Sequence, residues 1–180
     1  MIDRHGYRAN VAILLARPDG EVFWGNRVKP ADCWQFPQGG LEAGESPQDA
    51  LFRELYEEVG LQAHQVRLLA QTRRWLRYRS PAPRRNSRCI GQKQRWFLLQ
   101  LLDPPDAICL DCGASPEFST GRWVSYWYPA RAVVDFKRTV YAQALYELAP
   151  AHAAMVEQVR AEQVRAEQAG VTQAEAARAG

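Results

Sequence analysis

The chain has 180 residues, 47% of them apolar, with six tryptophans and a net charge of +3. That size suits one domain with its own core plus an extension, and the apolar share excludes a disordered chain. The longest early apolar run, Val11 to Ala16, is too short for a signal sequence or a membrane span, so the expected location is the cytoplasm.

Tyr7 to Ala16 reads as a buried strand, apolar throughout its second half and rich in β-branched and aliphatic residues. Pro18-Asp-Gly20 signals a turn, and Glu21 to Gly25 a returning strand. Trp34-Gln-Phe36 is a short strand stopped by Pro37, and Gly39-Gly40 with Ala43-Gly44 marks a glycine-rich loop. The best-defined helix follows. Ser46 fits its N-cap, Pro47 its first position, and Asp49 closes a capping box. Leu51, Leu55 and Val59 repeat at i, i+4, i+8 on a core-facing stripe, and Gly60 stops the helix. Val66 to Tyr78, Arg95 to Leu102 and Arg122 to Tyr126 are further strands. Ala132 to Leu148 is a second helix, with Val133, Val140, Ala144 and Leu148 as core contacts. After Pro150 the composition turns to Ala, Gln, Glu and Arg, and Val159-Arg-Ala-Glu-Gln163 repeats as Val164-Arg-Ala-Glu-Gln168. The division expected is a domain over 1–150 and a tail over 151–180, either helical or disordered, with a partner-binding helix as the alternative. Strands around a core with two long helices give an α/β/α sandwich on a mixed sheet.

Charge is unevenly placed. Between Thr72 and Arg95 stand Arg73, Arg74, Arg77, Arg79, Arg84, Arg85, Arg88, Lys93 and Arg95, with no acid among them and Trp75, Tyr78 and Trp96 interleaved. Such a stretch suits phosphates and bases, or else is a solvated arginine-rich loop. The four cysteines are irregularly spaced and indicate no disulfide framework. Cys109-Leu-Asp-Cys112 has no second paired set to complete a zinc site, so incidental thiols are expected there.

The chemistry concentrates on the first helix. Glu54, Glu57 and Glu58 sit at i, i+3, i+4 and share one face. Three like charges destabilise a bare helix, whereas a cluster of hard oxygen donors suits Mg²⁺ or Mn²⁺. Arg53 can hold one of these carboxylates, and the glycine loop lets backbone approach a metal or a phosphate. Taken alone, three glutamates at this spacing are as readily a solvated surface.

The wider pattern is more specific. Gly39, five residues, Glu45, seven residues, then Arg53-Glu-Leu-Tyr-Glu-Glu-Val-Gly-Leu61 resembles the signature box of the Nudix hydrolases at every position. The resemblance implies an α/β/α sandwich on a mixed sheet and hydrolysis of a nucleoside diphosphate linked to another moiety. It implies metal binding by the Gly39 carbonyl, Glu54, Glu57 and Glu58, with Glu54 or Glu57 as general base and Glu45 supporting Arg53.

Outside the box, the segments Gly6-Tyr-Arg8, Trp34-Gln-Phe-Pro-Gln-Gly-Gly40, Ile90-Gly-Gln-Lys-Gln94, Pro116-Glu-Phe118 and Phe136-Lys-Arg138 are similar to the branch of that family acting on RNA 5′ ends. This likeness runs from Met1 to about Leu148. It implies a further metal ligand at Glu117, a phosphate contact at Arg8, and contacts to the first nucleotides from Arg27, Val134, Phe136 and Lys137. Core packing for Val134 and Phe136, and plain surface charge for Arg8 and Arg27, are the alternatives. The expected partner is 5′-di- or triphosphorylated RNA, with promotion of RNA decay as the outcome and Mg²⁺ as the cofactor. A dinucleoside polyphosphate is the alternative substrate, and neither DNA nor a membrane is expected to bind.

Overall fold

The computed structural model describes residues 2–30, 32–81, 88–113 and 115–178. Arg84 and Arg85 of the basic stretch lie outside them.

The sheet is built on β1 (Tyr7–Ala16), which pairs in parallel with β7 (Gly91–Leu101) over its whole length, from Tyr7 beside Gly91 to Ala16 beside Gln100. β2 (Val22–Arg27) returns antiparallel to β1 after a turn in which Gly20 takes a φ of 93°. The remaining strands are β3 (Trp34–Gln35), β4 (Gln38–Gly40), β5 (Val66–Gln71), β6 (Leu76–Arg79) and β8 (Phe118–Val124). Their order is β3-β2-β1-β7-β5, with β4 also on β1, β6 on β7 and β8 on β2.

Alternation along β1 sends Val11, Ile13 and Leu15 to one face and Ala12, Leu14 and Ala16 to the other. Both faces are covered, which is why the strand reads as a continuous apolar run. On the first face lies α1 (Pro47–Val59), packed through Leu51, Leu55 and Val59. On the second lies α3 (Arg138–Arg178), packed through Val140, Tyr141, Ala144, Leu145 and Leu148. The Tyr141 ring stacks on Phe36 at 5.3 Å and meets Trp96 edge-on at 4.8 Å. The expected α/β/α sandwich on a mixed sheet is therefore the fold formed.

Four elements depart from the sequence reading. Gly39 and Gly40 belong to β4, in register with Val11 and Asn10, rather than to a loop. The expected strand over 66–78 is two strands. The chain breaks at Thr72, whose N–H bonds Trp96 O at 2.9 Å and whose hydroxyl accepts Trp96 N–H at 3.2 Å. β8 lies earlier than expected, beginning at Phe118, because its partner is β2 from Val22 to Arg27. The second helix begins at Arg138, after a short α2 (Tyr128–Ala132) and a 3₁₀ turn at Asp135–Lys137, so Val133 is buried but precedes it.

α3 also continues past Leu148 and through Pro150. Met155 is buried, and Ala151 and Val156 pack on the same core. His152 Nε2 lies 2.8 Å from the Gly20 carbonyl, and its ring lies against Tyr126 at 4.1 Å. Cys109 and Cys112 form a disulfide rather than the expected thiols. A sharp turn brings them together where the chain docks on the end of α1, with Cys109 N–H donating to Val59 O at 3.0 Å. Among the described residues, no helix is long and apolar enough to cross a membrane.

Candidate active site

α1 is fixed at both ends by its own sequence. Ser46 Oγ accepts Asp49 N–H at 3.2 Å, the Asp49 carboxylate reaches back to Ser46, and Gly60 takes a φ of 72° at the C-terminal end. This orients Arg53, which is the hub of the acidic wall. Its Nε and Nη2 grip the Glu45 carboxylate at 2.8 and 2.9 Å. Its Nη1 donates to Glu54 Oε1 at 2.8 Å and Glu57 Oε2 at 3.3 Å, and Nη2 also reaches the Gly40 carbonyl at 2.9 Å. One planar fork thus ties the glycine strand to three carboxylates, which a lysine's point charge could not do.

Glu54 and Glu58 are buried at 8% and 7% exposure. Burial pushes the Glu54 carboxyl upward, against the opposing pull of Arg53. Glu58 is pushed further up, by burial first and then by the neighbouring charges of Glu54 and Glu117, although Gln38 N–H donates to its Oε2 at 2.9 Å. Glu117, just before β8, is ion-paired with Arg27 at the end of β2. Gly39 has a steric reason to be glycine, since a Cβ there would overlap the Glu54 carboxylate. A Cβ on Gly40 would strike the Arg8 guanidinium.

Opposite the carboxylates is a wall of amides and cations. Lys137 is buried, and its Nζ donates to Gln35 Oε1 at 2.9 Å and Gln38 Oε1 at 3.1 Å. Burial pushes its ammonium down to about 8. Gln94 Nε2 donates to Asn10 Oδ1 at 2.7 Å and to Gln38 Oε1 at 3.2 Å, and Tyr78 donates to Gln92 Oε1 at 2.7 Å. The Phe136 ring is exposed and lies 5.8 Å from Tyr78.

Between these walls is a cavity of about 480 Å³. Of the ten residues singled out from the sequence, Arg8, Arg27, Gly39, Glu54, Glu58, Glu117, Phe136 and Lys137 line it. Glu57 does not line it; its side chain is exposed and lies 3.3 Å from Arg53 Nη1. Val134 does not line it. That side chain packs partly on the core, and its carbonyl accepts Lys137 N–H at 2.9 Å. The sequence reading missed Asn10, Gln35, Gln38, Ser80 and Gln92, which also line the cavity together with Tyr78 of the basic stretch. A signal existed for some of them. Arg8 and Asn10 on β1, and Gln92 and Gln94 on β7, are alternating polar residues at the starts of otherwise apolar strands.

The donor set fits a divalent cation. Glu54, Glu58 and Glu117 offer hard oxygens to one cavity, Glu117 from a partly exposed position, and their mutual repulsion is relieved by positive charge. Arg8, Arg27 and Lys137 bring positive charge to the same cavity. Arg27 Nε is buried without a hydrogen-bond partner among the described residues, a donor left over for a ligand.

Comparison with known proteins agrees with this geometry. The NUDIX domain matches residues 6–144. An RNA pyrophosphohydrolase of Cellvibrio japonicus is 55% identical over 159 residues, covering 86% of this chain and 94% of that protein. One of Hahella chejuensis is 56% identical over 154 residues, covering 83% and 95%. Among solved structures, the E. coli dihydroneopterin triphosphate pyrophosphohydrolase superposes with a TM-score of 0.61 at 22% identity, covering 76% of this chain and 95% of that one. A C. elegans Ap4A hydrolase does so with a TM-score of 0.59 at 17% identity, covering 76% and 93%. At those identities the structural likeness speaks for the fold.

Proposed function

The chain belongs to the NUDIX domain family, and from that premise we propose that it removes pyrophosphate or phosphate from the 5′ end of di- or triphosphorylated RNA. The product is a 5′-monophosphate RNA, and the consequence is RNA decay in the cytoplasm. The observation that carries this reading is the cavity itself, whose lining brings Glu54, Glu58 and Glu117 together with Arg8, Arg27, Lys137 and the exposed Phe136 ring. A polyphosphate fits between them with its first base toward Phe136.

The activity depends on divalent cations, and Mg²⁺ is the ion assigned here. Glu57, Glu58 and Glu117 would hold it together with the Gly39 carbonyl, which leaves Glu54 to act on the water. When bound, it supplies neutralisation of phosphate charge and an acidified water. Glu54 is the general base. Its Oε1 is occupied by Arg53, which leaves Oε2 to take the proton, and burial raises its proton affinity. Arg53 and Glu45 hold that carboxylate in place. Arg8, Arg27 and Lys137 bind and orient the phosphates, Phe136 stacks on the first base, and Val134 supports the turn that carries Phe136 and Lys137.

The test is a side-by-side assay with Mg²⁺, using a short RNA with an unpaired 5′-triphosphate end and diadenosine tetraphosphate. A higher kcat/KM on the RNA is expected. A clear preference for the dinucleotide would overturn the substrate while leaving the phosphate chemistry in place.

A further inference from the structure

The basic stretch seen in the sequence is only partly explained by the cavity. The structure separates its members. Arg95 Nη1 donates to the carbonyls of Thr72 at 2.6 Å and Arg73 at 3.0 Å, so it braces the turn between β5 and β6. Lys93 is ion-paired with Asp3 at 3.0 Å. Arg74, Arg77 and Arg79 are exposed and have no acidic partner among the described residues.

Their placement is regular. Strand alternation turns Tyr78 inward to the cavity, and Arg77 and Arg79 outward. Trp75, two residues before Arg77, continues the same row. The Trp75 ring already lies 5.4 Å from the cationic groups of both Lys93 and Arg95, and Arg77 lies 5.2 Å from the Tyr7 ring. β6 pairs only with β7, so this row runs along a sheet edge. Ser80, the residue after Arg79, turns back to line the cavity beside Tyr78. From Arg79 back to Trp75 the chain covers about 13 Å at the usual strand rise. Cations two residues apart on a strand are about 7 Å apart, on the scale of successive phosphates in an extended strand.

We propose that this row, Arg79, Arg77 and Trp75, is a track for the single-stranded RNA downstream of the 5′ nucleotides. The arginines hold consecutive phosphates, and Trp75 offers a stacking face for one base. The inference rests on the RNA reading of the cavity. A membrane surface would also attract cations, but the row is linear, carries an aromatic face and is followed directly in the chain by Ser80 of the cavity, which suits a polynucleotide.

The test is binding of a 5′-hydroxyl, single-stranded RNA of about twelve nucleotides, followed by fluorescence anisotropy across a salt series. The 5′-hydroxyl end leaves the catalytic cavity without its phosphate, so binding reports the track. The variant is Arg77→Gln/Arg79→Gln, and Arg160→Gln/Arg165→Gln on the exposed part of α3 is the charge-matched control. We expect at least about 5-fold weaker binding by the first variant. Its slope of log Kd against log salt should fall by roughly 1.4, because two phosphates of the single strand are no longer neutralised. The control should bind like wild type. Equal losses in both variants, no loss in either, or binding to anionic vesicles but not to RNA, would overturn the track. A wild type that binds this RNA through β6 but hydrolyses no 5′-triphosphate would uphold the track and sink the proposed function instead.

Discussion

α1 and α3 cover opposite faces of the same sheet and are fixed by different means. α1 spans 13 residues and carries its own boundaries, with a capping box, a proline at its start and a left-handed glycine at its end. α3 spans 41 residues, has a proline inside it and emerges from a 3₁₀ turn. It is held from outside. Tyr141 accepts Phe36 N–H at 3.2 Å, Tyr126 donates to Leu145 O at 2.7 Å, and His152 reaches Gly20. The helix that carries the carboxylates is therefore pinned locally, and the helix behind the substrate wall is positioned by distant side chains. Chemistry that needs sub-ångström placement sits on the first kind.

That contrast can be broken at either helix. The largest effect is expected at Glu54. Glu54→Gln should lower kcat by about 10²–10⁴ under saturating Mg²⁺. Turnover near wild type in steady-state assays would remove Glu54 from the role of base. Next is Gly39→Ala, whose methyl group would displace the Glu54 carboxylate without touching the caps of α1. A loss of about 10² in kcat is expected with little change in Tm, because misplacement by about 1 Å is enough for such a loss. An unaffected rate would show that Glu54 does not need the position seen here.

On the α3 side the readout is stability. Met155→Ala should cost about 2–3 kcal/mol in urea unfolding, since the side chain is buried beyond Pro150. A neutral result would detach the helix past Pro150 from the core. A smaller effect is expected from His152, half-buried, with a folded pKa lowered by burial from its ordinary 6.5. The unfolded chain then binds the proton more readily. The stabilisation is complete above about pH 6.5 and is lost as the pH falls from there through the lower pKa of the folded state. Melting curves between pH 8 and about pH 5 should show this drop, and His152→Ala should remove its share. A slope unchanged by His152→Ala would assign the drop to other groups.

How much was legible in the sequence follows the same division. α1 and its carboxylate face were readable to the residue, because caps, stripe and glutamates all lie within one short segment. Elsewhere in the cavity, Arg8, Arg27, Phe136 and Lys137 were named through the family resemblance, and the amides were not legible. Lys137 and Gln35 meet across a separation of 102 residues, and Gln94 and Asn10 across 84, and no local period marks an isolated amide that ends up in a cavity. The break at Thr72 was equally hidden, since it depends on Trp96 in a neighbouring strand. The start of α3 was misplaced because the apolar spacing of Val133 and Val140 runs smoothly through two shorter elements that carry Phe136 and Lys137 into the site.

The central claim is that the carboxylates of α1 and Glu117, brought together from distant parts of the chain, form one cation-binding site. The most direct measurement is Mn²⁺ binding followed by electron paramagnetic resonance, with wild type, Glu58→Gln and Glu117→Gln compared side by side. The account predicts weaker or fewer bound ions in both variants. Wild-type binding by Glu117→Gln would contradict it, and would leave Glu117 as the ion-pair partner of Arg27 and nothing more.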